Sequence, residues 1–142
     1  VALWATQRLM PPVAGGKFAA MLDDCTKAAR ELFARLQQSE QFLPLMPPEL
    51  DIVVYALNAA DSSTASKRAR QLFERAAERD LHLALIDLPT SLVRHYAPEL
   101  CSTSEMTTCL RSVLMKPEHL GWLDRIVEIL ETSAGEIAQG TE

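Results

Sequence analysis

The sequence lacks any apolar run near the roughly 18 residues that a membrane-spanning helix requires, which excludes an integral helical membrane protein. It also lacks a basic excess. Fourteen Lys and Arg stand against nineteen Asp and Glu, a formal net charge of −5, and no basic stripe gathers along the chain. Sequence-general nucleic-acid binding is therefore not expected. Cysteine is scarce: Cys25, Cys101 and Cys109 are odd in number and widely spaced, which argues against a disulfide framework. The Cys101/Cys109 gap matches no zinc-ligand spacing, and His82, His95 and His119 form no helical HxxxH pair, so no metal site is expected. Cys25 and Cys109 read as small core hydrophobes and the histidines as surface residues. The N-terminus lacks the charged-then-apolar layout of a secretion signal, so a reducing, cytoplasmic setting is expected. No GxSxG, HExxH, CxxC or GxGxxG motif occurs.

What is present suits one domain with a single core: 142 residues, 48% hydrophobic and 23% charged. The chain opens Val1-Ala2-Leu3-Trp4, with no initiator Met and no cap before a helical pattern, and the expectation is a piece of something longer. A helix over 2–10 ends at Pro11-Pro12, because proline cannot continue a helix interior. From about Gly16 to Gln38, Phe18, Leu22, Cys25, Ala29, Leu32 and Leu36 step by three and four and predict one long amphipathic helix. Lys27/Glu31 and Glu31/Arg35 are spaced to pair on its solvent side. Residues 39–49 carry Pro44, Pro47 and Pro48 and read as a loop.

Residues 50–57 are β-branched, aromatic and almost continuously apolar, which predicts a central strand covered on both faces. Asp61 to Thr64 supply candidate caps for a helix over 65–79 that buries Ala65, Ala69, Leu72, Phe73 and Ala76. A strand over 81–88 stops at Pro89. Residues 89–106 show no period and read as a long loop of the kind that carries function or is disordered. A third strand spans 107–115. Pro117 opens a last helix with Leu120, Leu123, Ile126, Val127 and Leu130 inward, and residues 133–142 read as a frayed tail. The pattern predicts an α+β two-layer domain: a small, mainly antiparallel sheet of about three strands with helices on one face. The expected organisation is a linker helix over 1–12, the domain proper over 13–132, and the tail.

Few residues point to chemistry. Gly15-Gly16-Lys17 has the outline of a phosphate loop, but Phe18 stands where Ser or Thr must hold magnesium, so it reads as a helix start. Arg111 lies mid-strand on the face of Cys109 and Val113. A guanidinium there must reach solvent or meet an anion, since burying it unpaired is costly. Its planar fork matches a carboxylate with two parallel hydrogen bonds. It therefore binds a carboxylate of a ligand or a facing domain, or it lies on a wet face or pairs with a structural acid. Trp4 and Trp122 read as packing anchors, with ligand stacking the alternative. Lys116 is the one lysine next to a strand, though its setting before Pro117-Glu118-His119 is that of an exposed turn rather than a Schiff-base pocket.

Several segments, taken in order, resemble the C-terminal part of group II pyridoxal-phosphate-dependent decarboxylases, the family of the aromatic-amino-acid, glutamate and diaminobutyrate enzymes. Ala2-Leu3-Trp4-Ala5-Thr6 and the Gly15-Gly16 helix are similar to the passage from the cofactor-binding domain into the small domain. Pro47-Pro48-Glu49-Leu50-Asp51-Ile52-Val53-Val54-Tyr55 resembles the family's P-x-L-x-I-V-x-F strand, and Glu78-Arg79-Asp80 stands where the family has an N-x-R-G turn. Thr108-Cys109-Leu110-Arg111 and Lys116-Pro117-Glu118-His119-Leu120 resemble its closing strand and T-x-x-D-I helix start. In the closing strand, Ser112-Val113-Leu114-Met115 replaces an Asn-rich stretch.

The resemblance covers about residues 1–132. It implies the small domain of a decarboxylase acting on an amino acid, closing the active site, supporting a homodimer and partnered by a large domain that holds pyridoxal 5′-phosphate. It places Arg111 at the small-domain arginine that faces the substrate carboxylate in related fold-type I enzymes. The family's Schiff-base lysine follows a histidine. None of Lys17, Lys27, Lys67 and Lys116 does, so the resemblance implies that this chain alone is inactive and carries no catalytic residue. Two other readings stay open: an independent α+β ligand-binding or interaction module, and the small domain of a fold-type I aminotransferase.

Overall fold

A computed structural model describes residues 2–140; Val1, at the start of the expected linker helix, and Thr141 and Glu142, at the end of the expected tail, lie outside them. The described chain runs α1 (Ala2–Leu9), α2 (Lys17–Gln38), β1 (Phe42–Pro44), β2 (Ile52–Leu57), α3 (Ser62–Ala77), β3 (Ala84–Pro89), α4 (Thr90–Tyr96), β4 (Met106–Val113) and α5 (His119–Gln139). The four strands form an open antiparallel sheet in the order β1-β2-β4-β3, an α+β architecture with one strand more than predicted. The extra strand, β1, sits in the proline-rich segment that reads as a loop. Pro44 is tolerated because β1 is an edge, where a missing N–H breaks no ladder bond on the outer side.

β2 is an inner strand, and its unbroken apolar run follows from that position. Val53, Tyr55 and Leu57 join a large core with Leu32 and Leu36 of α2, Leu72 of α3, Leu110 of β4 and Leu130 of α5. The alternate residues Val54 and Ala56 join a smaller cluster with Val93 of α4, Leu100 and Cys109. Period-two alternation thus divides the sheet into two apolar faces. The three long helices cover one of them, as predicted, and short α4 with the segment after it seals part of the other.

Several expectations are corrected. Residues 89–106 are not structureless. They begin with α4, and the segment after α4 is stitched to the start of α3 by a parallel bridge between Asp61 and Cys101. Ser62 Oγ, buried, accepts hydrogen bonds from the backbone N–H of Thr103 (3.0 Å) and Ser104 (3.2 Å). Residues 133–139 are not frayed: α5 continues to Gln139, burying Ser133, Ala134 and Ile137, while Glu136 receives Arg75 at 2.8 Å and Arg79 at 2.6 Å. That passage looks polar in sequence because small residues face the core and the one acid is paired.

At the other end of the helix layer, Leu22 and Leu120 are exposed rather than inward. Trp4 and Trp122, expected as packing anchors, are 63% and 55% exposed. Lys27 pairs with Asp23 at 2.7 Å instead of Glu31, whereas Glu31 and Arg35 pair at 2.9 Å. Asp80 has φ 61°, the left-handed region, at the position where the resembled turn carries glycine; Asp tolerates that region better than most residues. Among the described residues no helix is long and apolar enough to cross a membrane.

Two interactions give measurable handles. Tyr55 is fully buried, its ring edge-on to Phe42 at 5.7 Å and its hydroxyl 3.0 Å from Ser112 Oγ. Tyr55→Phe leaves that buried Ser112 hydroxyl unpartnered and is expected to cost about 1–2 kcal/mol. Ser112→Ala combined with it is expected to cost clearly less than the two single changes summed, as measured by urea unfolding of all four forms.

Asp61 caps α3, accepting from the N–H of Ser63 and Thr64 at 2.9 Å each. These bonds, that of Thr64 foremost, together with the hydroxyls of Thr64 and Thr103, hold its carboxyl below the usual value. A lowered native pKa adds stability above the unfolded value near 4 and loses it as pH falls through the native one. Asp61→Ala should therefore lower the melting temperature at pH 7, and the gap to wild type should close as pH drops below about 4.

Candidate functional site

β4 is hydrogen-bonded along both edges: Arg111 sits opposite Val54 of β2 on one side and Ala84 of β3 on the other. Its neighbours Leu110 and Ser112 point into the helix-covered core, so Arg111 points to the opposite face with Cys109. Toward the Met106 end of β4, that face is closed by Val93 and Leu100. Toward the Val113 end it is open, and Ile52, opposite Val113, is 40% exposed. Arg111 stands where the covered part gives way to the open part, half-buried.

Its Nε is shut off from water and has no hydrogen-bond partner. Among the described residues no carboxylate forms an ion pair with it, whereas Arg35, Arg70, Arg75 and Arg79 each have one. No structural acid among the described residues accounts for Arg111. What remains is a cation fixed at its base by the sheet, which either lies on a wet face or meets a carboxylate brought by a ligand or a facing domain.

The other residues singled out from the sequence do not join it. Cys109 lies beside Arg111 on this face, but burial first and Asp87 second push its thiol up to about 12, so it stays protonated and is no nucleophile. Cys25 is buried and also held protonated by burial, with Asp51 and Asp24 adding to it. Lys17, Lys27, Lys67 and Lys116 are all exposed, without the desolvated setting that readies a lysine for imine formation. Gly16 stands as the N-cap of α2, with no side-chain cap bond, in keeping with its reading as a helix start. Among the described residues no group of three His, Cys, Asp or Glu is placed to hold a metal ion. The expectation that the histidines are surface residues fails for His119, which is half-buried with an unpartnered Nδ1; nothing in its local sequence signals this.

Arg111→Met tests the unpaired state directly. No partner is lost and a buried Nε is removed, so stability should stay within about 0.5 kcal/mol of wild type or rise. A loss of several kcal/mol in urea unfolding would reveal a structural role instead.

No protein-family model and no curated protein sequence matches the chain. Solved structures do. Oryza sativa TDC with PLP aligns over 95% of this chain and 26% of its own, at 16% identity and a TM-score of 0.71. Mouse CSAD in apo form aligns over 93% of this chain and 27% of its own, at 18% identity and a TM-score of 0.63. The glutamate decarboxylase domain of diaminobutyrate-pyruvate transaminase and L-2,4-diaminobutyrate decarboxylase from Vibrio parahaemolyticus aligns over 94% of this chain and 25% of its own, at 15% identity and a TM-score of 0.60. The structural neighbours are group II pyridoxal-phosphate-dependent decarboxylases, and this chain has the fold of a segment about a quarter of their length.

Proposed function

We propose that the chain is the C-terminal small domain of a cytoplasmic pyridoxal-phosphate-dependent amino-acid decarboxylase. In that role it closes one side of the active site and supports a homodimer. The observation that carries this reading is the unpaired Arg111 at the edge of a half-open sheet face, within a fold shared with enzymes of that class. An amino-acid substrate brings a carboxylate, and Arg111 offers the matching fork.

The cofactor, held by a large domain outside this chain, supplies the electron sink for loss of carbon dioxide. Arg111 would bind the substrate carboxylate and orient it. Packing of a second domain on the open face would exclude water and strengthen that ion pair. The rigid sheet keeps the guanidinium in place, because β4 is fixed along both edges. The exposed state of the four lysines supports a division of labour in which this chain alone forms no cofactor adduct.

The test uses the parent-length protein. It is expected to show visible absorbance from bound cofactor that borohydride fixes, and to release carbon dioxide from an amino acid. The 142-residue chain with added cofactor should show neither. Arg111→Ala in the parent should lower kcat/KM by about a hundredfold, the loss expected for a charge-assisted two-point contact. Unchanged turnover would remove Arg111 from the site. Keto-acid formation in place of carbon dioxide would identify an aminotransferase, and borohydride-stable labelling of the isolated chain would overturn the division of labour.

A further inference from the structure

On the helix side of the sheet lies a second feature that Arg111 does not touch. A pocket of about 460 Å³ opens between the first turns of α5, the segment that links α3 to β3, and the end of β4. Ser112 and Leu114, which alternate away from Arg111, form part of its floor.

Its charge is the opposite of the chain's. Arg79, His82, Lys116, His119 and Arg125 line it against one acid, Asp80, in a protein of formal net charge −5. Arg79 is neutralised by Glu136. Among the described residues Lys116 and Arg125 have no carboxylate within ion-pair distance. Like charges drawn together over an apolar floor repel one another unless an anion sits between them.

Two observations add a second chemical character. The pocket's other wall is apolar, with Leu81, Ile126 and Ile129. Trp122, 55% exposed, also lines it, with its ring 5.8 Å from that of His119. A large aromatic left in water beside unpaired cations is the usual composition of a ligand site rather than of a core. His119 Nδ1 is out of water with no protein partner, so the pocket wall holds a polar group that the fold itself does not satisfy.

The geometry points to a binding site for a small organic anion with a flat ring, its carboxylate or phosphate monoester held by Lys116 and Arg125 and its ring against Trp122. This site is independent of the decarboxylase reading and lies on the other side of the sheet from Arg111. Its volume is too large for an inorganic anion alone to fill, which is why the ring belongs to the inference.

Nuclear magnetic resonance of the 142-residue chain tests it. The chain has two tryptophans, Trp4 and Trp122, and loss of one indole N–H signal in Trp122→Phe assigns the reporter. Benzoate and phenyl phosphate should shift the Trp122 signal saturably, and the tighter of the two identifies the head group. Benzamide, with the ring but no charge, and inorganic phosphate, with the charge but no ring, should each bind at least about tenfold more weakly. Arg125→Met with Lys116→Met should weaken benzoate and phenyl phosphate by about tenfold or more. Both residues are exposed, and each single variant serves as well if the pair lowers stability. Equal shifts with benzamide would overturn the anion, equal affinity for inorganic phosphate would overturn the ring, and undiminished binding by the methionine variants would overturn the site.

Discussion

β4 is held on both sides by hydrogen bonds, and that double pairing constrains everything else in the domain. A strand so fixed cannot rotate, so each residue along it is assigned to one face or the other. Leu110, Ser112 and Leu114 go to the helix side, where Leu110 and Leu114 join the large core and Ser112 meets the Tyr55 hydroxyl. Cys109 and Arg111 go to the opposite side. A register slip of one residue would place Arg111 under α5 among leucines, at a cost that no partner in the structure could offset. The position of the candidate carboxylate-binding group thus rests on the same ladder that builds the core.

The distribution of charge follows from burial more than from composition. Several arginines of this acidic chain meet acids on their own or a neighbouring helix: Arg35 with Glu31 and Asp124, Arg75 and Arg79 with Glu136. These pairs are at least partly exposed and contribute modestly to stability. Their structural value is in closing α5 onto α2 and α3, which brings the polar end of the chain into the helix layer. Lys116 and Arg125, which line the pocket on the helix side, and Arg111, on the opposite face of the sheet, have no such partner among the described residues.

Much of the fold is legible in the sequence where one period dominates. The helical steps of Cys25, Ala29, Leu32 and Leu36 and of Ala65, Ala69, Leu72 and Ala76 correspond to the buried faces of α2 and α3. The unbroken apolar run of β2 marks an inner strand with two covered faces. What escaped was structure maintained by partners far along the chain. β1 is a strand only because Phe42 to Pro44 lie along β2. The segment after α4 is ordered because Ser62 and Asp61 receive it. The last turns of α5 are held by Arg75 and Arg79, some sixty residues earlier. None of these leaves a local period.

For function the division is sharper. The sequence by itself determined an α+β domain, the face of β4 on which Arg111 lies, and an ordered series of segments resembling one enzyme family. These follow from alternation and chain order, which are properties of neighbours. Only the tertiary structure decided that Arg111 has no ion-pair partner among the described residues, that Trp122 stands in solvent rather than in the core, and that cations from three separate segments meet around one pocket. Pairing and enclosure depend on which distant residues arrive at the same place, and that is set by how the helices close over the sheet.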